Sequence, residues 1–304
     1  MKYFTGTSYS AVIEAMRARR LHAMTVGPFS YLLAVQEAGA EALAIGVSTR
    51  AEPAVFDPSI RPAYFNVISV KKGNGINSVA DLKGRNLNYV DPASTSGHLV
   101  PKTFLLGQGI DPDKDMKTVF AGSHPTSVFA LWNGKSDAAA STETTLYNLA
   151  QNGQIELCGF PDGEVGKDRT AAQIKQLFDS CPNGKIAMLA FSDPIPNTPF
   201  AIRSDLPATL KTAVKDALLA MKDDARFVAT AKRWFLDPHQ ERGLKNLDAF
   251  CCQEGRRSPR ASASPGPLPP RPGRRERGWC PAPSTGPRPG AAVRGRRARP
   301  PHAR

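Results

Sequence analysis

Three hydroxyl-bearing residues stand in a row at Ser94-Thr95-Ser96, followed by Gly97. The run lies between an extended segment, Asn86 to Val90, and a helical one, Val100 to Gly107. At a strand-to-helix turn the free backbone N–H groups and the positive end of the helix dipole point the same way. With three hydroxyls added, the turn suits an anion that carries several oxygens, such as a phosphoryl group. An ordinary Ser/Thr helix cap uses the same residue types. A second turn of this kind holds Gly122-Ser123-His124. His124 could donate to an anion oxygen from the start of a helix, or serve as a plain surface or capping histidine. Glu143 follows the small-residue run Ala138-Ala139-Ala140. A carboxylate belongs in an anion site only if the ligand brings a proton or an amine.

The same residues can be arranged as an enzyme, with Ser94 or Ser96 as nucleophile, His124 as base and Glu143 orienting the base. The chain has no G-x-S-x-G elbow to present such a serine. No carboxylate pair or metal-ligand cluster stands out, so neither a catalytic residue nor a metal or cofactor is expected. The five cysteines include no C-x-x-C pair. Cys158 and Cys181 could form one disulfide or remain two unrelated buried thiols.

The elements that must position these turns alternate. Helical patterns cover Ser10–Arg20, Phe29–Ala38, Pro125–Asn133, Glu143–Asn152, Leu210–Met221 and Ala225–Trp234. Extended ones cover Leu21–Val26, Leu43–Ser48, Phe65–Val70, Thr118–Ala121, Ile186–Phe191 and Phe200–Ile202. Such alternation predicts an α/β fold with mostly parallel sheets. No run of apolar residues is long enough to span a membrane. The first residues show no charged segment followed by an apolar one, so no signal peptide is expected in this chain.

Charge is unevenly spread. The net charge is +13, but residues 251–304 hold 13 Arg, two Glu and no Lys, leaving residues 1–250 nearly neutral. That last segment also holds 12 of the 27 prolines and nothing periodic, so it is expected to be a disordered Pro/Arg-rich tail.

Several runs together resemble the substrate-binding proteins of phosphate, phosphite and phosphonate ABC transporters. They are Tyr9-Ser10-Ala11-Val12-Ile13-Glu14-Ala15-Met16, Tyr64-Phe65-Asn66-Val67-Ile68-Ser69-Val70, Ile76 to Gly84, Asp91 to Pro101, Gly122-Ser123-His124 and Lys135-Ser136-Asp137-Ala138-Ala139. The resemblance covers about residues 3–245. It implies the type II periplasmic-binding-protein fold, two α/β lobes joined by a two-crossing hinge, with the ligand in the cleft. Lobe 1 is expected at 1–88 plus 204–250 and lobe 2 at 89–203, with crossings near Tyr89–Asp91 and Pro194–Arg203. Carried over by position, Ser94, Thr95 and Ser96 would hold phosphoryl oxygens and Tyr64 would approach from the other lobe. His124 would donate, and Glu143 would accept from a protonated oxygen or an amine. Asn197 and Thr198 lie at the second crossing, where members that take aminoalkylphosphonates resemble one another in carrying an acid. A neutral Thr198 favours a small ligand such as phosphite, phosphate or methylphosphonate. The implied partners are that oxyanion and the membrane permease of an ABC importer, in the periplasm or cell envelope, with no nucleic acid.

Two departures from the family pattern stand beside these matches. The resemblance implies a first strand and helix ahead of Tyr9, and this chain is expected to lack both. The family-like pattern stops near Phe250, where Lys vanishes and Arg, Pro and Gly take over. A shifted reading frame in GC-rich coding sequence accounts for the change, and a basic arm for nucleic acid or anionic lipid is the alternative.

Overall fold

The computed structural model of the chain describes residues 2–160 and 169–238. Helix α1 (Tyr9–Arg17) starts at Ser8, whose hydroxyl accepts from the Ala11 N–H at 3.1 Å and so satisfies one of the open donors of the first turn. Strand β1 (Ala23–Thr25), helix α2 (Pro28–Ala38) and strand β2 (Ala40–Ser48) come next. After a loop come β3 (Ala63–Tyr64), β4 (Asn66–Lys71), β5 (Asn86–Tyr89), α3 (Val100–Gly107), a single turn α4 (Pro112–Asp115) and β6 (Lys117–Phe120). The chain continues through α5 (His124–Trp132), β7 (Ala138–Thr142), α6 (Glu143–Gln151), β8 (Leu157–Cys158), α7 (Ala171–Asp179) and β9 (Ile186–Phe191). It returns by β10 (Ile195–Pro196), β11 (Pro199–Arg203), α8 (Ala208–Ala220), α9 (Ala225–Ala231) and β12 (Arg233–Leu236).

These strands form a four-stranded sheet, β1-β11-β2-β12, a six-stranded sheet, β6-β5-β7-β4-β9-β8, and a two-stranded ribbon, β10-β3. The α/β alternation is as expected, but the sheets are not mostly parallel. In the small sheet every neighbouring pair is antiparallel. Strands β1 and β2 do run the same way, yet β11 returns from the other sheet and inserts between them. In the large sheet β4 runs against both β7 and β9, whereas β5–β6, β5–β7 and β8–β9 are parallel. A strand that enters by crossing from another sheet is not bound to the parallel direction that a helical crossover imposes.

The first crossing also differs from expectation. Strands β4 and β5 both pair within the six-stranded sheet, so the chain passes between the sheets between Ser48 and Asn66, not near Tyr89–Asp91. The return runs from Phe191 to Pro199. The two passages are tied together where Tyr64 pairs with Ile195 and Ala63 with Pro196, and the Asn197 N–H donates to the Pro62 carbonyl at 2.8 Å. Near the end, the expected helix 225–234 stops at Ala231. Lys232 takes a left-handed conformation, and Arg233–Leu236 pairs with Ile45–Ser48 as a strand. Trp234 explains the change: alternation puts its ring in the core with Val47 and Val228, which helical spacing would not do.

Apolar cores lie on each sheet. Ile13 and Met16 of α1 pack with Met24, Ala34 and Ala201 on the small one, and Ile68, Leu87, Tyr89 and Leu105 form part of a cluster on the large one. Cys158 and Cys181 are joined as a disulfide with a Cα separation of 5.7 Å, which decides between the two readings of these thiols. It closes a loop over a sequence separation of 23. On chain-entropy grounds, changing both cysteines to serine should lower unfolding free energy by about 3 kcal/mol. Urea titration of the variant and of the reduced parent checks this: equal midpoints for variant and oxidised parent refute it.

Among the described residues no helix is long and apolar enough to cross a membrane, and no group of His, Cys, Asp and Glu is placed to hold a metal ion. The Pro/Arg-rich segment 251–304, with the nucleic-acid or lipid role considered for it, lies outside the described residues.

Candidate functional site

The hydroxyl run is built by the end of β5. Asp91 starts it: its side chain accepts from the Ala93 N–H at 2.8 Å and its carbonyl from the Ser94 N–H at 2.9 Å. Ser94 then caps the next turn, accepting from the Gly97 N–H at 3.0 Å through its hydroxyl. Thr95–Leu99 forms one wide π-type turn that feeds α3, a form of helix often met at functional sites. Gly97 is required here by space: a Cβ would lie 2.4 Å from Val90 Cβ. Asn66 on β4 supports the loop from below, donating to the Ser96 carbonyl at 2.6 Å and to the Ser141 carbonyl at 3.2 Å.

The loop opens onto a cavity of about 320 Å³ between the faces of the two sheets. Tyr64, Ser94, Thr95, Ser96, His124, Asn197 and Thr198 all line it. Seven of the eight residues picked from the sequence are thus brought together. Glu143 is not among the lining residues. It sits at the start of α6 with one carboxylate oxygen accepting from the Phe65 N–H at 2.9 Å, and burial pushes its pKa up to about 7. That bond ties the start of α6 to the residue just ahead of β4.

His124 is the first residue of α5, after the capping Ser123. Burial lowers its pKa to about 4, so the ring is neutral at pH 7, and its Nδ1 has no hydrogen-bond partner among the described residues. The carboxylate that would orient His124 in an enzyme's relay accepts from the Phe65 N–H, and no hydrogen bond joins His124 to Glu143 among the described residues. Tyr64 is held neutral by burial, against a smaller opposing effect of its hydrogen bond with Ser96. Tyr64 lies on the crossing ribbon and not on the opposite sheet, as do Asn197 and Thr198 just beyond β10.

The opposite wall contains residues that sequence reasoning missed. Tyr9, at the start of α1, lines the cavity; burial raises its pKa first, with the Asp91 charge adding, while its hydrogen bond with Ser94 opposes both. Thr25, Gly46, Ser48, Phe200, Arg233 and Phe235 come from the strands of the small sheet. The only available signal for Tyr9 was its place in the family-like run. Arg233 had none, because its placement depends on the register of β12.

Direct bonds join the two walls. The Phe29 N–H of α2 donates to Thr95 Oγ1 at 2.8 Å, and the Ser30 hydroxyl donates to the Ala93 carbonyl at 2.6 Å. Helix α2 has glycine at its N-cap, no side-chain cap of its own and proline at its first position. Thr95 from the other lobe therefore supplies the cap that Gly27 cannot. At the far rim Arg50, beyond β2, donates to Asn148 at 3.1 Å and to Gln151 at 3.3 Å on α6. The lobes are in contact on both sides of the cavity.

The sequence profile of the periplasmic substrate-binding proteins of phosphonate ABC transporters matches residues 1–248. The chain belongs to this family. Among relatives of this phosphonate-binding family, the phosphate-import protein PhnD of Mycolicibacterium smegmatis is 29% identical over 153 residues, 47% of this chain and 45% of that protein. The phosphonates-binding periplasmic protein of Escherichia coli is 28% identical over 150 residues, 48% of this chain and 42% of that protein. The chain thus spans about half the length of the curated relatives it matches. Its fold is similar to the binding protein of an ABC phosphonate transporter from Pseudomonas aeruginosa, with a TM-score of 0.62, 21% identity and 86% and 79% of the two chains covered. It is similar also to PhnD1 of Prochlorococcus marinus in complex with methylphosphonate, with a TM-score of 0.58, 17% identity and 84% and 86% covered. The fold is that of type II periplasmic binding proteins.

Proposed function

We propose that this phosphonate-binding family member is the solute receptor of an ABC importer and holds a phosphorus oxyanion in the cavity between its lobes. The observation that carries the reading is the convergence of Ser94, Thr95, Ser96, Tyr64 and His124 on one cavity with no carboxylate in its lining. A phosphoryl group accepts from many donors at once, and hydrogen bonds to a charged group are the strong ones. A neutral His124 still offers one N–H donor. The protein binds without catalysing, works in the periplasm or cell envelope, and delivers its ligand to a membrane permease. Tyr64, Asn197 and Thr198 contribute from the crossing segments, so a bound anion touches the segments that must bend when the lobes part.

Calorimetry with phosphate, phosphite, methylphosphonate and 2-aminoethylphosphonate tests this. At least one should bind. Substituting Ser94, Thr95 or Ser96 singly by Ala should weaken binding of that compound by about 1–3 kcal/mol. If all three variants bind as the parent does, the oxyanion sits elsewhere. If incubation releases a cleaved product, the chain is an enzyme instead.

A further inference from the structure

We infer that the ligand carries a second anionic group, a carboxylate on a short organic arm, and that Arg233 receives it. The inference rests on the receptor reading above and names the compound class. The cavity has two unlike ends. Hydroxyls and a neutral imidazole form one, and the face of the small sheet forms the other. On β12 the alternation that buries Trp234 turns Arg233 and Phe235 toward the cavity, and their register partners on β2 are Ser48 and Gly46. Glycine at 46 leaves the space beside Phe235 open, since a Cβ there would already stand 3.7 Å from the ring.

The charge pattern is specific. Arg50 is engaged with Asn148 and Gln151, and Lys232 with Glu52. The guanidinium of Arg233 has no hydrogen-bond or ion-pair partner among the described residues, although Arg233 lines the cavity. No Asp or Glu lines it, and the Thr198 position is neutral, so an ammonium-bearing arm would meet a cation and no counter-charge. Size points the same way. A cavity needs only about 10–15 Å³ by this measure to hold one water, and this one offers about 320 Å³. A tetrahedral oxyanion on the Ser94–Ser96 loop leaves room for an arm. Arginine matches a carboxylate with two parallel N–H donors.

The test is calorimetry on the full chain with methylphosphonate, 3-phosphonopropionate and 2-aminoethylphosphonate, repeated on Arg233→Gln and Arg233→Lys. The parent should bind 3-phosphonopropionate about ten- to a hundredfold more tightly than methylphosphonate, as a charge-assisted pair requires, and 2-aminoethylphosphonate more weakly than either. Arg233→Gln should bring the first ratio to about one, and Arg233→Lys should restore part of it. Thermal unfolding of each variant, expected within a few degrees of the parent because Arg233 is exposed, separates lost recognition from lost folding. If the parent binds methylphosphonate but gains nothing from the carboxylate, or if the ratio survives Arg233→Gln, the inference is overturned and the receptor reading stands. If none of these three binds, and phosphate and phosphite do not either, both fall.

Discussion

Gly27→Ala should leave the protein folded and cost it most of its ligand affinity. Gly27 has φ −60 and ψ 159, an extended conformation open to any residue, so alanine brings no backbone strain. Such a change reduces the freedom of the unfolded chain and, if anything, helps folding. The cost lies across the cavity. An alanine Cβ would stand 2.9 Å from Thr95 Oγ1 and 3.6 Å from Thr95 Cβ, and the bond from the Phe29 N–H to that hydroxyl closes the same gap. Overpacking of this kind costs about 1–3 kcal/mol, and on the proposed hinge it falls on the closed form alone. A ligand that touches both lobes draws its affinity from the closed form, so the penalty appears as roughly five- to 150-fold weaker binding. Small-angle scattering should show less compaction on ligand addition, with an unchanged melting temperature for the free protein. Thr95→Ala in the same chain removes the clash and should recover compaction in part, though not the hydrogen bond. If Gly27→Ala binds and compacts as the parent does, closure does not run through α2 and Thr95.

That contact shows where sequence reading reached and where it stopped. Ser94, Thr95 and Ser96 are adjacent in the chain, and the strand before and helix after them carry clear patterns, so their convergence was legible. What the hydroxyl of Thr95 does was not, because its partner Phe29 lies in a different lobe and no local pattern joins the two. Glu143 stands at the expected turn but outside the cavity lining, and its bond from the Phe65 N–H, in the link between β3 and β4, had no local pattern to announce it. The helix expected through Trp234 failed for a related reason. Four residues, Arg-Trp-Phe-Leu, carry too little periodicity to separate helix from strand, and pairing with β2 decided it. The α/β class survived because alternation is a local property. The antiparallel insertion of β11 between β1 and β2 is a matter of topology, set by the return crossing.

Two largely buried groups, His124 in the cavity wall and Glu143 behind it, should oppose each other in the pH dependence of stability, and single substitutions should uncover them. Burial raises the Glu143 pKa from an ordinary 4.5 to about 7, with hydrogen bonds from Phe65 and from the start of its own helix opposing. Between those values the folded chain keeps a proton that the unfolded chain releases. This contribution is fully present below pH 4.5 and is lost as pH rises toward 7, amounting to about 3 kcal/mol. His124 does the reverse. Burial lowers its pKa from 6.5 to about 4, so the unfolded chain takes up a proton that the folded chain refuses. Its contribution is fully present above pH 6.5 and is lost as pH falls toward 4, again about 3 kcal/mol. From pH 4.5 to 6.5 the two slopes cancel in the parent. Glu143→Gln should leave the histidine alone in control, so that relative to the parent its unfolding free energy falls by about 3 kcal/mol as pH drops from 6.5 to 4. His124→Gln should leave the carboxyl in control and fall by a similar amount as pH rises from 4.5 to 7. The double variant should track the parent across the shared window. Urea unfolding at half-unit pH steps, in buffer free of phosphate, reads all four profiles. Single-variant profiles parallel to the parent's would mean that water reaches both groups in the free protein, which would place the site in an open form when no oxyanion is bound.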